Sequence, residues 1–455
     1  MKTRHWVSAA IAVMAVPAVL VGGPAALGGF LGSGPAVSVA DNDEIVPSGG
    51  PIAGTTGWVY VMSNQESGNS IVVFERDADG GLVRKSIVPT GGLGAGRGHD
   101  LEDASDALVS QGALIASPDR KLLFAVDAGS NEVTSLSVDG GKVEVVSRVP
   151  SGGTRPVSVA LHEDLLYVAN AGGLAPNTNG PSASVAGFKV DGEGKLTAID
   201  GAVTNLPGGP TAAPSQVSFN PAGTKLVVTE RQANKIDVFP IGEDGKLGTG
   251  VSNKSSGPGP FTATFRGKDT LVSSEVVGSN YKYGALSTYK LKDDNTLEVM
   301  TSSLSTVELA ACWTVDSLLD PNVLYLGNAQ SGTISGIRFD KDGKASVFPD
   351  DGHLATTRDQ KATQDMALSA NGRYLYVLTV GFDEKLADPR LITHVDGAQF
   401  SNKMSISAWR VEKSGALTPL PGYGVADDVP TVVTPGVVTE SKGGLPPGSE
   451  GIVAF

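Results

Sequence analysis

Glu230 and Glu275 occupy the same place in neighbouring repeats, closing the apolar segments KLVVTE and TLVSSE. Glutamate favours neither strands nor turns, so a carboxylate at the end of an apolar run needs a partner. Arg155, Arg231, Lys235 and a bound ligand are the candidates, and a salt-bridged reading stands beside a functional one. Trp313 could stack on a sugar or lactone ring or simply pack between repeats. Asn64, Asp127, Asn170 and Asn328 also end strands, where Asn and Asp commonly cap turns with their own side chains.

Nucleophilic and metal chemistry find less to work with. Cys312 is the single cysteine and pairs with His99 only if the loop 91–111 folds back over it; His162 follows an inner strand and should face the opposite side, and His353 and His394 lie in or next to loops. His99, Asp100, Glu102, Asp103 and Asp106 cluster in that loop, but such a run reads first as solvated acidic surface. Zinc spacing, a phosphate-cradling glycine loop and a serine elbow are absent, so no metal and no cofactor are expected.

These residues sit on a unit that recurs seven times. Clear copies start at Arg120, Lys225 and Asn322, with others near Trp58, Asp164, Thr270 and Arg373. A spacing of roughly 45 to 60 residues matches propeller blades and not helical solenoids. Each copy runs strand, Gly/Asn/Ser turn, strand, acidic-Gly turn, as in Glu243-Asp244-Gly245. A short small-and-apolar strand precedes most copies, at 112–117, 156–161, 214–219, 260–265, 312–316 and 364–369. The copy at Trp58 lacks one, and 448–455 (GSEGIVAF) resembles APSQVSFN, so the C-terminus is expected to close the ring and leave no open sheet edge. The expected fold is all-β, a seven-bladed propeller over 58–455.

Adjacent strands run antiparallel, so inner-strand starts and second-strand ends share one face of the disc. That face gathers Asn64, Asp127, Asn170, Glu230, Glu275, Asn328 and Thr379 with Gln111, Arg155, Ser215, Gln216, Thr262, Cys312, Trp313, Gln364, Asp365 and Glu450. A polar, net-acidic ring around a central funnel is the expected ligand site, with Glu230, Gln216, Trp313, Asp127, Gln111 and Asp365 as ligand-binding residues. The insertions 91–111 and 381–402 lie where propellers place binding loops, and 423–447 is the connection back to the first blade.

The 455 residues carry a formal net charge of -13 with no run of Lys or Arg, which argues against nucleic acid and anionic membrane as partners. Lys2 and Arg4, an apolar stretch, and Ser38-Val39-Ala40 read as a signal peptide over 1–40, followed by a flexible linker over 41–57. A secreted, extracellular monomer is expected, free of the membrane after cleavage. One cysteine means that packing and not a disulfide framework must stabilise it.

The PxGTxLVVTE pattern, TRPVSVALHEDLLYVANAGG and the pair ACWTV and LGNAQSGTISGIR are similar to the seven-bladed lactonase family, over nearly all of 58–455. That family includes bacterial phosphogluconolactonases and the fungal carboxymuconate lactonizing enzyme. The resemblance implies a Gly-Pro-Arg-His strand start facing an Asn-Glu strand end. Here the matching stretches are Gly259-Pro260-Phe261-Thr262 and Ser274-Glu275; the preceding blade has Ala213-Pro214-Ser215-Gln216 without histidine, and Ala329 stands where the sixth blade would carry arginine. Only Glu275 is kept. Loss of one charge-stabilising group typically costs about 100-fold to 1000-fold in rate, so the departures weigh against turnover. The expectation is a lactonase-like propeller binding a small polar or sugar-like ligand or lactone. One alternative is a lactone hydrolase or muconate-type cycloisomerase with Glu275 as base and Arg155 as anion stabiliser; another is an extracellular interaction platform using 381–402.

Overall fold

A computed structural model describes residues 56–96, 106–173, 180–278, 282–357, 362–382, 400–421, 445–446 and 448–455. The expected signal peptide, most of the linker, His99, His394 and the greater part of 381–402 and 423–447 lie outside the described residues.

Seven four-stranded antiparallel sheets form the blades of a propeller. The second strands, such as Leu165–Asn170 and Val323–Asn328, are buried along their whole length, as continuous apolar runs should be when neighbouring blades cover both faces. Outer strands such as Lys142–Pro150 are largely exposed. The inner strands fall where the sequence places them: Leu114–Ala116, Pro156–His162, Pro214–Phe219, Thr264–Arg266, Ala311–Asp316 and Ala362–Leu368. In blade 5 the pairing covers only the end of the expected strand, with Pro260 joined to Glu275 by a single bridge.

Closure is by the C-terminus, as expected. Ile452–Ala454 pairs with Gly57–Met62 of blade 1. Phe455 donates its N–H to Trp58 O at 2.7 Å, Glu450 donates to Met62 O at 3.0 Å, and the Phe455 ring lies 5.1 Å from that of Tyr60.

The acidic-Gly turns do more than reverse the chain. Tyr60, Tyr167, Tyr325 and Tyr376 each donate a buried hydroxyl to a turn carbonyl of the next blade, at Gly140, Gly245, Gly415 and Gly80. Ser135 and Thr288 do the same to Gly194 and Gly343, and Lys225 reaches the carbonyls of Lys292 and Asp293. Each of the seven blade interfaces is therefore pinned through a hairpin turn of one blade. Gly245 has φ +75°, a left-handed conformation that favours glycine and presents its carbonyl to Tyr167.

Candidate functional site

The backbone positions expected to share a face do so: Pro156 pairs with Asn170, Pro214 with Glu230 and Ala311 with Asn328. The side chains at the strand ends, however, turn away from the axis. Glu275 is fully buried, and its Oε1 accepts from Gly257 N at 2.9 Å and Ser287 Oγ at 2.5 Å, while Oε2 accepts from Ser303 Oγ at 2.6 Å. Ser287 and Ser303 lie on the third and outer strands, and Gly257 on the chain arriving from blade 4. Burial pushes the carboxyl up from its ordinary value, and those three donors pull it back.

The same clasp recurs. Glu230 accepts from Gly208 N at 3.0 Å and faces Asp237 of the third strand. A proton shared between these two acids would relieve their mutual repulsion. Burial first and Asp237 second push Glu230 up to about 8. The partner foreseen for Glu230 was a cation or a ligand; it is another carboxyl. Asp127 accepts from Asn69, Thr90 and Thr134, and burial raises it against those bonds. Asn170 donates to Ser151 O. In blades 2 to 5 a glycine packs on this polar side chain so closely that a Cβ would collide, at 2.4 Å for Gly92 on Asp127, 2.6 Å for Gly153 on Asn170, 2.5 Å for Gly208 on Glu230 and 2.0 Å for Gly257 on Glu275. Asp127, Glu230 and Glu275 thus fasten blades 2, 4 and 5 to the chain entering each, and their oxygens are turned from the funnel.

The funnel itself is filled by the chain. Leu108 N donates to both oxygens of Glu450 on the closing segment, at 3.2 and 3.1 Å. Ser110 Oγ donates to Val157 O of blade 3, and the Trp313 indole of blade 6 donates to Ser110 O at 2.9 Å. Gln111 N donates to Ser215 O of blade 4, its carbonyl accepts from Ser158 Oγ, and its side-chain amide makes two 2.9 Å bonds with the Thr314 backbone of blade 6. Only a segment on the axis can touch the inner strands of blades 1, 3, 4 and 6 at once. Residues 106–111 are that segment, a plug built before the inner strand of blade 2.

Gln111 and Trp313 are therefore committed to the plug. Gln216 accepts from Ala263 N at 2.6 Å and ties blade 4 to blade 5. Asp365 accepts from the amides of Met366 and Ile452, holding the closing strand. Bulges explain these directions: the register slips between Pro156 and Ser158, Pro214 and Gln216, Ala311 and Thr314, and Thr363 and Met366. Each slip re-aims the side chains that follow it.

Arg155 is placed differently. Its guanidinium donates to Ala107 O of the plug, and the residue also lines a cavity of about 490 Å³ with Glu66, Asn131, Thr154 and residues 93–95, 128–129 and 172–173. Arg155 and Arg231 both line a second cavity of about 30 Å³, and the buried Nε of Arg231 has no hydrogen-bond partner among the described residues. The left-handed backbone of Arg155, φ +57°, belongs to the blade design, because Ala213, Gly259 and Ala310 repeat it before their own inner strands. Arg231 was missed as a site residue; its place directly after the Glu230 strand end was the available signal.

Cys312 is buried beside the plug near Asp106 and Arg231, and burial raises its thiol. His162 stacks on Phe219 at 5.6 Å, and His353 meets Glu308 at 2.9 Å. Neither lines either cavity at Arg155.

The architecture is that of the seven-bladed propellers closed by a C-terminal strand. Among solved structures of this type, the periplasmic gluconolactonase of Pseudomonas aeruginosa is 18% identical, with 81% of this chain and 96% of that chain covered at a TM-score of 0.57. A candidate 6-phosphogluconolactonase from Bacteroides fragilis is 17% identical, covering 81% of this chain and 94% of that chain at 0.56. One from Bacteroides uniformis is 18% identical, with 81% and 96% covered at 0.53. No protein-family model matches the chain, and no curated protein matches it. The likeness is thus one of fold, that of the 6-phosphogluconolactonase-like propellers.

Proposed function

We propose that this is an exported propeller of the lactonase type that binds a small, hydroxylated, anionic ligand of the sugar-acid class at Arg155, on the rim of the plugged funnel. One observation carries the reading: of the eight residues singled out from sequence, Arg155 lines the 490 Å³ cavity and the other seven do not. That volume lies within the usual range of about 300–1,000 Å³ for small-molecule sites. Arg155 offers a planar donor fork to a carboxylate or phosphate, and Asn131 and Thr154 offer amide and hydroxyl groups to sugar hydroxyls. Glu275 is buried with both oxygens engaged, so it is not available as the base of this cavity.

Turnover has one observation in its favour, Glu66 on the same wall. In that reading the Glu66 carboxylate takes a proton from the water that adds to a lactone carbonyl held at Arg155, the tetrahedral oxyanion forms against the guanidinium, and its collapse breaks the ring C–O bond with the proton returned to the ring oxygen. Melting-temperature shifts and proton release, measured side by side with aldonates and aldonolactones, separate binding from hydrolysis. A shift with aldonates that is lost in Arg155→Gln supports the binding site. Proton release above the buffer rate that is lost in Glu66→Gln assigns hydrolysis. A panel with neither effect overturns the reading.

A further inference from the structure

The plug is held by acids. Asp106 begins it, its carboxyl bonds that of Glu450 on the closing segment, and Glu450 in turn accepts the Leu108 N–H. Two carboxyl groups bonded to each other need one proton between them. Asp106 also accepts from Val109 N at 2.7 Å, so the shared proton and the fold of the plug depend on one another. Asp365 of blade 7 adds a third carboxyl within electrostatic reach of Asp106. Cys312 of blade 6 is buried beside Asp106, with Arg231 of blade 4 near it. Arg155 of blade 3 holds Ala107 O and is the cation on the plug itself. Among the described residues, no three His, Cys, Asp or Glu side chains are arranged to hold a metal ion.

We propose that residues 106–111 are a proton-latched gate: with a proton between Asp106 and Glu450 the plug seals the central channel, and loss of that proton releases it and opens the channel to solvent. The opened channel exposes the Thr314 backbone, Ser215 O, Val157 O and the Trp313 indole, which the plug covers when closed. The direction follows from where the protons sit. Burial raises Glu450 well above the ordinary carboxyl value, with Asp106 as the second cause, so the closed state binds more protons than the open one. Closure is then complete in acid and lost as the pH rises through the value Glu450 has in the closed state. One proton coupled to opening changes the closed-to-open ratio about tenfold per pH unit within that window.

Hydrogen exchange at the Leu108 amide reads the gate directly, corrected for the intrinsic pH dependence of exchange and compared with the core strand Leu122–Asp127. The expected result is a protection factor at Leu108 that falls about tenfold per pH unit through the titration while that strand stays protected. Glu450→Gln keeps an acceptor for Leu108 N–H and a donor for Asp106 but cannot titrate, and its Leu108 protection should be flat with pH. Cys312, the only thiol, gives a second readout: at one fixed alkaline pH it should react faster with a neutral maleimide in wild type than in Glu450→Gln. A Leu108 protection that is flat with pH in the wild type overturns the gate whatever the variants do. A Glu450→Gln protein with the wild-type pH profile overturns the assignment of the latch.

Discussion

Replacing Glu275 by alanine should damage the fold and leave ligand chemistry at Arg155 intact. The carboxylate is fully buried and accepts three hydrogen bonds, from Gly257 N, Ser287 Oγ and Ser303 Oγ. A buried donor left without its acceptor costs about 1–3 kcal/mol. The serine hydroxyls can partly re-pair, since Ser303 N already donates to Ser287 Oγ at 2.8 Å, so the expected loss is on the order of 4 kcal/mol. At an unfolding entropy of about 2.1 cal/mol/K per residue, a propeller of roughly 400 residues should lose about 5 °C in melting temperature. Gly257→Ala adds the independent half of a double-mutant cycle. Its Cβ would lie 2.0 Å from Glu275 Oε2, a clash that the Glu275→Ala side chain removes. The double mutant should therefore be more stable than the sum of the singles predicts, by about 1 kcal/mol or more. Scanning calorimetry at a fixed scan rate, with ligand shifts measured on all four proteins, is the assay. An additive cycle, or an unchanged melting temperature together with lost ligand binding, would refute the clasp and return Glu275 to the site.

Three other outcomes are expected. Deleting 448–455 removes the closing strand, the Glu450 latch and the Ile452 amide that Asp365 holds, and should abolish cooperative melting where Phe455→Ala only lowers the melting temperature. Asp365 is raised from 3.8 to about 7, first by burial, so its contribution to stability is present below about pH 4 and lost as the pH rises through 7. That shift corresponds to about 4 kcal/mol, and Asp365→Asn should flatten the stability profile across this window in calorimetry. Tyr376→Phe removes the hydroxyl bond to Gly80 O across the blade 7 to blade 1 interface and should cost about 1 kcal/mol in chemical denaturation, with the outer face of the disc unchanged.

The ring was legible because its signals are local and repeated. Apolar second strands, acidic-Gly turns and the GSEGIVAF ending each specify a piece of blade, and all are present as read. Which residues share a face was legible too, since antiparallel pairing fixes it. What alternation could not give was side-chain direction at the inner-strand starts, where a bulge in four blades inserts an extra residue and re-aims Gln216, Trp313 and Asp365. The clasps did leave a trace: Thr90-Gly91-Gly92, Ser151-Gly152-Gly153, Pro207-Gly208-Gly209 and Ser256-Gly257 each set a glycine where the strand-end side chain packs. A glycine three residues past the end of four outer strands signals close approach, and the residue approaching it is structural. The path of the plug has no such period. Residues 106–111 make their contacts one at a time with four different blades, and no spacing along the chain encodes a position on the axis.

The distribution of charge decides where an anion can sit. Asp106, Asp365 and Glu450 bring three carboxyls to the axis, and Glu275 and Glu230 withdraw two more into the blades. A sugar acid moving down the funnel would meet this acidic cluster in a desolvated setting, where like charges repel strongly. Arg155 and Arg231 line one cavity, Arg155 just before the inner strand of blade 3 and Arg231 just after the second strand of blade 4. The plug joins the two regions, because Ala107 O takes a bond from Arg155 while the next amide, that of Leu108, is held by Glu450. An anion bound at Arg155 would compete with Ala107 O for the same guanidinium, so ligand and proton should act on one segment from opposite ends. Hydrogen exchange at Leu108 with and without an aldonate that shifts the melting temperature tests this coupling: ligand should lower protection at a pH where the gate is half open. Unchanged protection under saturating ligand would separate the rim site from the plug.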